Sequence, residues 1–510
     1  MFKIGLFIFM ISRLLTYFFL AGLITSCSVY KKGPQPKREF RGFWVATVVN
    51  IDWPKNPNDE IAKKKSDYLD LLDYYEELKF NAAIVQVRTA GDAFYKSDFA
   101  PWSRYLTGEE GKAPKDSSED ILTWMVQETH KRGMEFHAWL NPYRATFNLD
   151  TVSLAADHDF YQHPDWMIKY GKKYYYNPGL PEVQEHMASI ITELVNNYNI
   201  DGIHYDDYFY PYTIKDEIFN DSLAYQQYQH PGQDLDDWRR GNMDSLIKKS
   251  FQATKKNKPW VQFGVSPFGV WKNKSTDPKG SDTQAGQTTY ENLYADPLLW
   301  MEKGWLDYVV PQLYWSMEHN VASHKKLVDW WSENSKNTQL YIGNGPYKIE
   351  NNSDEAWNSK KELPNQILYA RKTKNVDGNV FFSAKSLQEK KKKHQRFLKR
   401  NFYAQDALIP IASTGASTND YPEYISKATV GDRIRFYFKD LSIAKQWVVY
   451  KSEKSQEETI LPKNIITKPF ITNPEYIEIP IADLKGRKKI SYTFLDKYGK
   501  ESEPKTLLLN

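Results

Sequence analysis

The segment Ile200-Asp201-Gly202-Ile203-His204-Tyr205-Asp206-Asp207-Tyr208-Phe209-Tyr210-Pro211 concentrates chemistry in a short space. An apolar, β-branched run ends there in two adjacent carboxylates. If that run is a strand of a parallel barrel, its C-terminal end lies at the barrel mouth, where such folds build their sites. Side chains alternate along a strand, so the pair is expected to point in different directions, one toward a ligand and the other bracing a loop. Two carboxyl groups flanking a bond are what glycosidic cleavage requires: one donates a proton, and the other attacks or activates water. Asp206 or Asp207 is the candidate for one of these groups. Asp92 and Glu318, each beyond the end of another apolar run, are the candidates for the second. Inversion and retention differ in the carboxyl separation, which the sequence leaves open. Asp201 precedes its run and belongs to the opposite end of the barrel.

Other run ends carry polar side chains with the same address. Gln86-Val87-Arg88 leads to Gly91-Asp92, Trp139 to Asn141-Pro142-Tyr143-Arg144, Val265 to Ser266-Pro267, and Pro311-Gln312 to Tyr314-Trp315. Arg88, Asn141, Arg144, Ser266 and Gln312 suit sugar hydroxyls or can orient a carboxylate through fixed hydrogen bonds. Aromatic rings stack on the C–H faces of sugars while a polar tip hydrogen-bonds. Trp102, Trp139, Tyr143, Tyr205, Tyr208, Tyr210, Trp271, Tyr314 and Trp315 fall at strand ends or in loops beyond them. Trp124, Trp330 and Trp331 lie on helices and are expected to pack. No phosphate-binding Gly-rich loop follows a strand, and no His-Glu-x-x-His or cysteine-rich metal signature occurs, so neither metal nor cofactor is expected. His130, His137 and His204 read as separate, singly hydrogen-bonded residues.

The elements that position these residues alternate short apolar runs with amphipathic stretches from Arg41 to about Arg400, the pattern of a parallel sheet wrapped by helices. The runs are Gly42 to Val49, Ala82 to Val87, Glu135 to Leu140, Gly202 to Tyr205, Gln262 to Val265, Tyr308 to Gln312, Leu340 to Gly343 and Gly378 to Phe382. They close an α/β fold of the TIM (β/α)8 type. Helices are expected at Ser66 to Lys79, Ser118 to Arg132, Pro181 to Tyr198 and Ala322 to Trp331. Helix-to-strand links are short and strand-to-helix links long, which places the site loops at the mouth. Beyond Asn401 the helical period disappears. Ile434, Phe436 and Phe438, then Ile490, Tyr492 and Phe494, alternate with polar residues as half-buried strands do, and Asp496-Lys497-Tyr498-Gly499 fits a hairpin turn. A fibronectin III or Ig-like sandwich is the expected all-β domain.

Basic and acidic side chains nearly cancel, 68 against 64, which disfavours nucleic acid as a partner and favours a neutral one. The first 27 residues read as an export signal: Lys3 and Arg13 precede an apolar stretch from Leu14 to Ile24, and the only cysteine closes it. Ile24-Thr25-Ser26-Cys27 resembles a bacterial lipobox, in which Cys27 is acylated. The division expected is therefore a lipoprotein signal over 1–27, a tether over 28–38, a barrel over 39–400, a linker over 401–421 and a β-sandwich over 422–510, with the protein anchored by lipid to a membrane of the bacterial cell envelope. The basic run Lys390 to Lys393 reads as a solvated helix face.

Several of these segments resemble, in order, the bacterial glycosyl-hydrolase-like family 10. They are Arg41-Gly42-Phe43-Trp44-Val45 with Asp52-Trp53-Pro54, Gln86-Val87-Arg88 with Gly91-Asp92-Ala93-Phe94-Tyr95, Pro101-Trp102-Ser103, His137 to Arg144, Asn177-Pro178-Gly179, Asp201 to Tyr208, Trp238-Arg239-Arg240 and Pro311 to Trp315. The resemblance implies an exported barrel hydrolase acting on glycan chains, some members being similar to enzymes that cut peptidoglycan strands after their peptides are removed. The chain departs from it at Pro114-Lys115-Asp116-Ser117-Ser118, where members often carry Pro-Gly-Tyr-Asp-Pro. The expected activity is hydrolysis of peptide-free peptidoglycan strands. Two alternatives stay open, a catalytically idle glycan-binding lipoprotein and a hydrolase of imported dietary or host polysaccharide.

Overall fold

Residues 35–115, 120–388, 392–412 and 420–509 are described in the computed structural model. Cys27, the export signal, most of the tether and residues 116–119 of the divergent loop lie outside them. In chain order the first strands are β1 (Phe40–Val45), β2 (Ala82–Arg88), β3 (Glu135–Leu140), β4 (Met167–Tyr170), β5 (Lys173–Tyr176), β6 (Gly202–Tyr205), β7 (Gln262–Val265), β8 (Tyr308–Val309), β9 (Gln339–Asn344) and β10 (Gly378–Phe381). All but β4 and β5 form a closed parallel barrel in the order β1-β10-β9-β8-β7-β6-β3-β2. All residues of these barrel strands are buried, which is why they read as largely apolar runs with no solvated face, although Arg41, Gln86, Arg88, Glu135, His137 and His204 interrupt them. The antiparallel hairpin β4-β5 stands apart from the barrel, in the long loop after β3, and was not anticipated from the sequence.

Helices Ile61–Glu77, Ile121–Lys131, Pro181–Asn197, Leu235–Asn257, His324–Asn334 and Glu362–Lys372 lie outside the barrel. The helix over 181–197 buries Val183, Met187, Ile190 and Leu194, a stripe at helical spacing. Its first residue is Pro181, where a missing N–H costs least. The helix over 121–131 starts at Ile121 because the Asp120 carboxylate caps it, accepting from the Thr123 N–H at 2.8 Å.

Inside the barrel, Phe40, Trp44, Ile84, Trp139, Tyr308, Tyr341 and Val380 form a separate core. Phe40 stacks on Tyr341 with ring centres 4.0 Å apart. Truncating such a ring costs about 3–5 kcal/mol. Two strand glycines make room for the large interior residues: a Cβ on Gly202 would lie 2.3 Å from His137 Nδ1, and one on Gly264 would lie 2.3 Å from the Tyr308 ring.

Seven further strands follow: β11 (Glu423–Val430), β12 (Arg433–Lys439), β13 (Ala444–Lys451), β14 (Ile465–Thr467), β15 (Tyr476–Pro480), β16 (Lys489–Asp496) and β17 (Lys505–Leu508). They form two antiparallel sheets, β11-β12-β15 and β14-β13-β16-β17, around Phe436, Phe438, Trp447, Tyr492 and Phe494. Gly499, at φ +83, closes the turn after β16 by donating to the Asp496 carbonyl. The half-buried alternation expected of these strands does not hold for β16, where Ser491 and Thr493 are buried too. The second face of the β13-β16 pair covers Leu408 and Ile409 through Val448, Tyr450 and Leu495, so both faces are shielded.

This β module packs on the barrel floor, the N-terminal end of the strands. Phe470 stacks on His130 at 4.4 Å, and Lys468 Nζ donates to the Gly133 carbonyl at 2.6 Å. Lys445 reaches under β3 and forms ion pairs with Glu135 and, at 3.0 Å, with Asp201. Asp201 sits at this floor, as its place before β6 requires. The segment expected to begin a linker is bound here instead: Arg41 Nη1 donates to the Gln405 carbonyl, Asn81 Nδ2 to that of Ala407, and the Glu39 N–H to that of Leu408.

Candidate active site

β6 stops at Tyr205, so Asp206 and Asp207 lie just past the last strand residue, where strict alternation no longer applies. Both line one cleft at the barrel mouth, together with Trp44, Gln86, Trp139, Asn141, Arg144, Tyr208, Tyr212, Ser266, Gln312, Tyr314 and Phe382. The cleft holds about 720 Å³, counting its open mouth. The expected divergence of the two carboxyl groups is therefore not found. They hydrogen-bond to each other, and the Asp207 N–H also donates to Asp206 Oδ1 at 2.8 Å.

Their surroundings separate them chemically. Gln312 Nε2 donates to Asp206 Oδ1 at 3.1 Å and to the Ser266 carbonyl at 2.9 Å, fixing the first carboxyl group from the end of β8. The Tyr212 hydroxyl donates to Asp207 Oδ2 from the loop after β6. Asp206 is 8% exposed and Asp207 4%. Burial raises Asp206, opposed by the donated hydrogen bonds and by the Arg144 charge. Burial together with the neighbouring Asp206 carboxylate pushes Asp207 well above the ordinary carboxylate range. When like charges crowd a dry site only one group ionises, so the pair is best described as an Asp206 carboxylate beside an Asp207 carboxylic acid.

The walls are aromatic. The Arg144 guanidinium lies over the Tyr208 ring at 4.4 Å, Tyr208 meets Tyr212 edge to face, and Phe382 stands between Trp44 and Tyr314. Gln86 Nε2 and Arg144 Nε have no hydrogen-bond partner among the described residues. Buried donors of this kind call for an acceptor, and a sugar hydroxyl can supply it.

Beneath the cleft a hydrogen-bonded column runs down the barrel axis. The Trp44 indole N–H, which can only donate, points at His204 Nε2 at 3.2 Å, so that nitrogen accepts and the proton of His204 is on Nδ1. Nδ1 then donates to the Tyr308 hydroxyl at 3.1 Å, Tyr308 donates to His137 Nδ1 at 3.0 Å, and His137 Nε2 donates to Glu135 at 3.0 Å. Burial holds His204 well below its usual pKa, in keeping with a neutral ring. His204 and His137 are thus linked through Tyr308, not separate as the sequence suggested. Ser266 Oγ, 2.9 Å from His204 Nε2, joins the top of the column to the cleft.

Of the expected site residues, Asp206, Asp207, Trp139, Asn141, Arg144, Tyr208, Ser266, Gln312 and Tyr314 meet in the cleft. The structure does not bring Asp92 or Glu318 into it. Asp92 accepts from the Thr89 and Ala90 N–H groups and the Thr89 hydroxyl, closing the turn after β2, and Glu318 is exposed. Arg88 is buried against Tyr176, Tyr205 bonds Ser250, Tyr143 is buried, and Trp102 pairs with Ala93; none of these lines the cleft. Trp315 packs on Phe268, Tyr210 is buried against Phe219, and the Trp271 indole N–H donates to Asp296. Trp44, Tyr212 and Phe382 were missed. Trp44 lies one residue from the end of β1 and Phe382 just beyond β10, which was the available signal; Tyr212 had none beyond its closeness to Asp207.

Among the described residues no group of three or more His, Cys, Asp or Glu is placed to hold a metal ion. The profile of the family Glycosyl hydrolase-like 10 matches residues 39–359. Glycosyl hydrolase YngK of Bacillus subtilis (strain 168) is 44% identical over 400 residues, covering 77% of this chain and 78% of that protein. Glycosyl hydrolase DigH of Escherichia coli (strain K12) is 39% identical over 333 residues, covering 62% of this chain and 75% of that protein. Among solved structures, the PgaB (BpsB) glycoside hydrolase domain from Bordetella bronchiseptica superposes with a TM-score of 0.45 at 10% identity, over 72% of this chain and 99% of that one. A closed parallel barrel with a carboxyl pair in its mouth, and a family match across most of that barrel, lead to one assignment: the chain belongs to the Glycosyl hydrolase-like 10 family and is a glycosidase.

Proposed function

We propose that the protein hydrolyses the amino-sugar glycan strands of peptidoglycan from which the peptides have been removed, with Asp206 and Asp207 as its catalytic carboxyl groups. The observation that carries this reading is the Asp206–Asp207 pair, buried side by side in an aromatic cleft that also presents Gln86, Asn141, Gln312 and Arg144. Arg144 is the one cation among the described residues lining that cleft. Removing the peptides from a strand exposes a carboxylate on each lactyl group, so the strand is anionic and not the neutral partner that the overall charge balance favours, and the Arg144 guanidinium suits that carboxylate. Acylation at Cys27, attachment to a membrane of the cell envelope, and the division at 39–400 and 422–510 belong to the same proposal. So does a fibronectin III-like assignment for the β module, supported by its sheets of three and four strands in the orders β11-β12-β15 and β14-β13-β16-β17.

The test is digestion of purified glycan strands, with and without peptides, by the full-length chain in mild detergent, with Asp206→Asn and Asp207→Asn alongside. Release of sugars from bare strands, lost in both variants while their melting curves stay cooperative, is the expected result. Binding of bare strands by the native chain without release would refute it.

A further inference from the structure

The cleft contains only two carboxyl groups among the described residues; they stand on consecutive residues, and the Asp207 N–H donates to Asp206 Oδ1 at 2.8 Å. A pair that works across a glycosidic bond stands about 5–5.5 Å apart when one attacks the sugar and about 6.5–9.5 Å apart when one activates water. Two carboxyl groups on consecutive residues, one accepting from the backbone N–H of the other, do not stand across a bond from each other and fit neither arrangement. Such a pair reaches a bound glycosidic bond from one side, and Asp92 and Glu318, the outside candidates, do not line the cleft. The nucleophile has to come from another source.

Resting on the hydrolase reading above, we infer that the 2-acetamido group of the substrate sugar is the nucleophile, that Asp206 orients and deprotonates it, and that Asp207 is the general acid. The acetamido carbonyl oxygen attacks C1 while the C1–O bond to the leaving sugar breaks. That bond's electron pair goes to the leaving oxygen, which takes the Asp207 proton, and the acetamido N–H proton passes to Asp206. The product of this step is a neutral oxazoline fused at C1 and C2. Water then attacks C1 and gives a proton to the Asp207 carboxylate. The C1–oxazoline bond breaks, its electron pair returns to the acetamido oxygen, and Asp206 returns the proton to nitrogen. One water is consumed, both aspartates regain their starting states, and two displacements at C1 leave its configuration unchanged.

The placement of each group follows this division. Asp206 is held by Gln312 and by the Asp207 N–H, both donors that favour a carboxylate. Asp207 sits in the drier position, 4% exposed, with the Tyr212 hydroxyl fixing one oxygen. The substrate class is narrowed accordingly, to glycans whose cleaved residue carries an N-acyl group at C2. Neutral glucans and galactans are excluded.

The experiment uses the full-length wild-type chain on bare peptidoglycan strands. Newly formed reducing ends are read by proton NMR before mutarotation, and protein quenched in acid during turnover is weighed by mass spectrometry. Retained configuration on an unmodified protein is expected. A thiazoline fused on N-acetylglucosamine, a stable copy of the oxazoline, should inhibit competitively at least 100-fold below KM, as mimics of reaction intermediates do. Strands stripped of their acetyl groups should resist cleavage, and chemical re-acetylation should restore it. Inverted products, a glycosyl ester on any aspartate or glutamate, or undiminished cleavage of de-acetylated strands would each overturn the inference while leaving the hydrolase reading intact. If the wild-type chain cuts no strand, the hydrolase reading falls and the inference with it.

Discussion

Replacing Lys445 by Met tests how the β module is joined to the barrel. The Lys445 side chain is 12% exposed and its partners Glu135 and Asp201 are 2% and 7% exposed, so the three charges share a nearly dry pocket. Methionine keeps the aliphatic length but leaves two buried carboxylates without their cation. Removing one partner of a buried pair costs about 3–5 kcal/mol, and that is the expected loss at pH 7. The pH dependence has a definite sign. Lys445 lies between two carboxylates that hold its pKa above the usual lysine range, so its contribution is complete below about pH 10.4 and fades only as pH rises further. Charge pairing with Lys445 holds Glu135 and Asp201 below their ordinary values despite burial, so their contribution is complete above about pH 4.3 and is lost as pH falls. The penalty of Lys445→Met should therefore be greatest between about pH 5 and pH 10 and shrink in acid. Equilibrium unfolding in urea, followed by tryptophan emission at several pH values, measures it. Neutralising all three positions, as Lys445→Met with Glu135→Gln and Asp201→Asn, should recover most of the loss, because no charge is then stranded. A loss below about 1 kcal/mol at pH 7, or one that does not diminish in acid, would refute the account.

Other outcomes concern the cleft. Asp207→Asn should lower kcat by about 10²–10⁴ with little change in KM, measured by product release from bare strands. The same change should raise stability at neutral pH: Asp207 is held above its unfolded value, so its stabilising contribution is complete below about pH 4 and disappears as pH rises, and urea unfolding at pH 7 should show the variant to be the more stable. The rate profile of the native enzyme should fall on the alkaline side as Asp207 loses its proton, at a pH well above the ordinary carboxylate range. Tyr212→Phe removes a donor that lowers the Asp207 pKa, and should move that alkaline limb upward. Gln312→Leu should cost roughly tenfold or more in kcat/KM through the lost hydrogen bond to ionised Asp206, each such bond contributing about 1.5–3 kcal/mol.

The barrel was legible because its strands are buried on both faces and so stand out as apolar runs between amphipathic helices. β3, β6 and β7 fall where the runs placed them, while β1 and β8 end earlier, at Val45 and Val309. Strand ends also located much of the cleft, including Asn141, Arg144, Ser266 and Gln312. What failed was anything that depends on direction after the chain leaves a strand. Asp206 and Asp207 converge because β6 has already ended, and Asp92 turns back on its own loop. Contacts between distant segments were equally invisible. Nothing local to Lys445 signals that it lies beneath β3, and nothing in the separate histidine motifs tells that Tyr308 joins His137 to His204.

The position of Lys37 fixes where the tether leaves the fold. Lys37 pairs with Glu501 at 2.6 Å and its carbonyl accepts from Leu408, so the chain enters at the floor, beside the β module, before β1 climbs to the mouth. With Cys27 acylated as proposed, the tether leaves from the floor, the end of the barrel opposite the cleft. Residues 28–38 span at most about 3.5 Å each, which leashes the floor within roughly 40 Å of the lipid surface. A tethered enzyme of this geometry patrols a shell of fixed depth, and strands beyond it are spared whatever their chemistry.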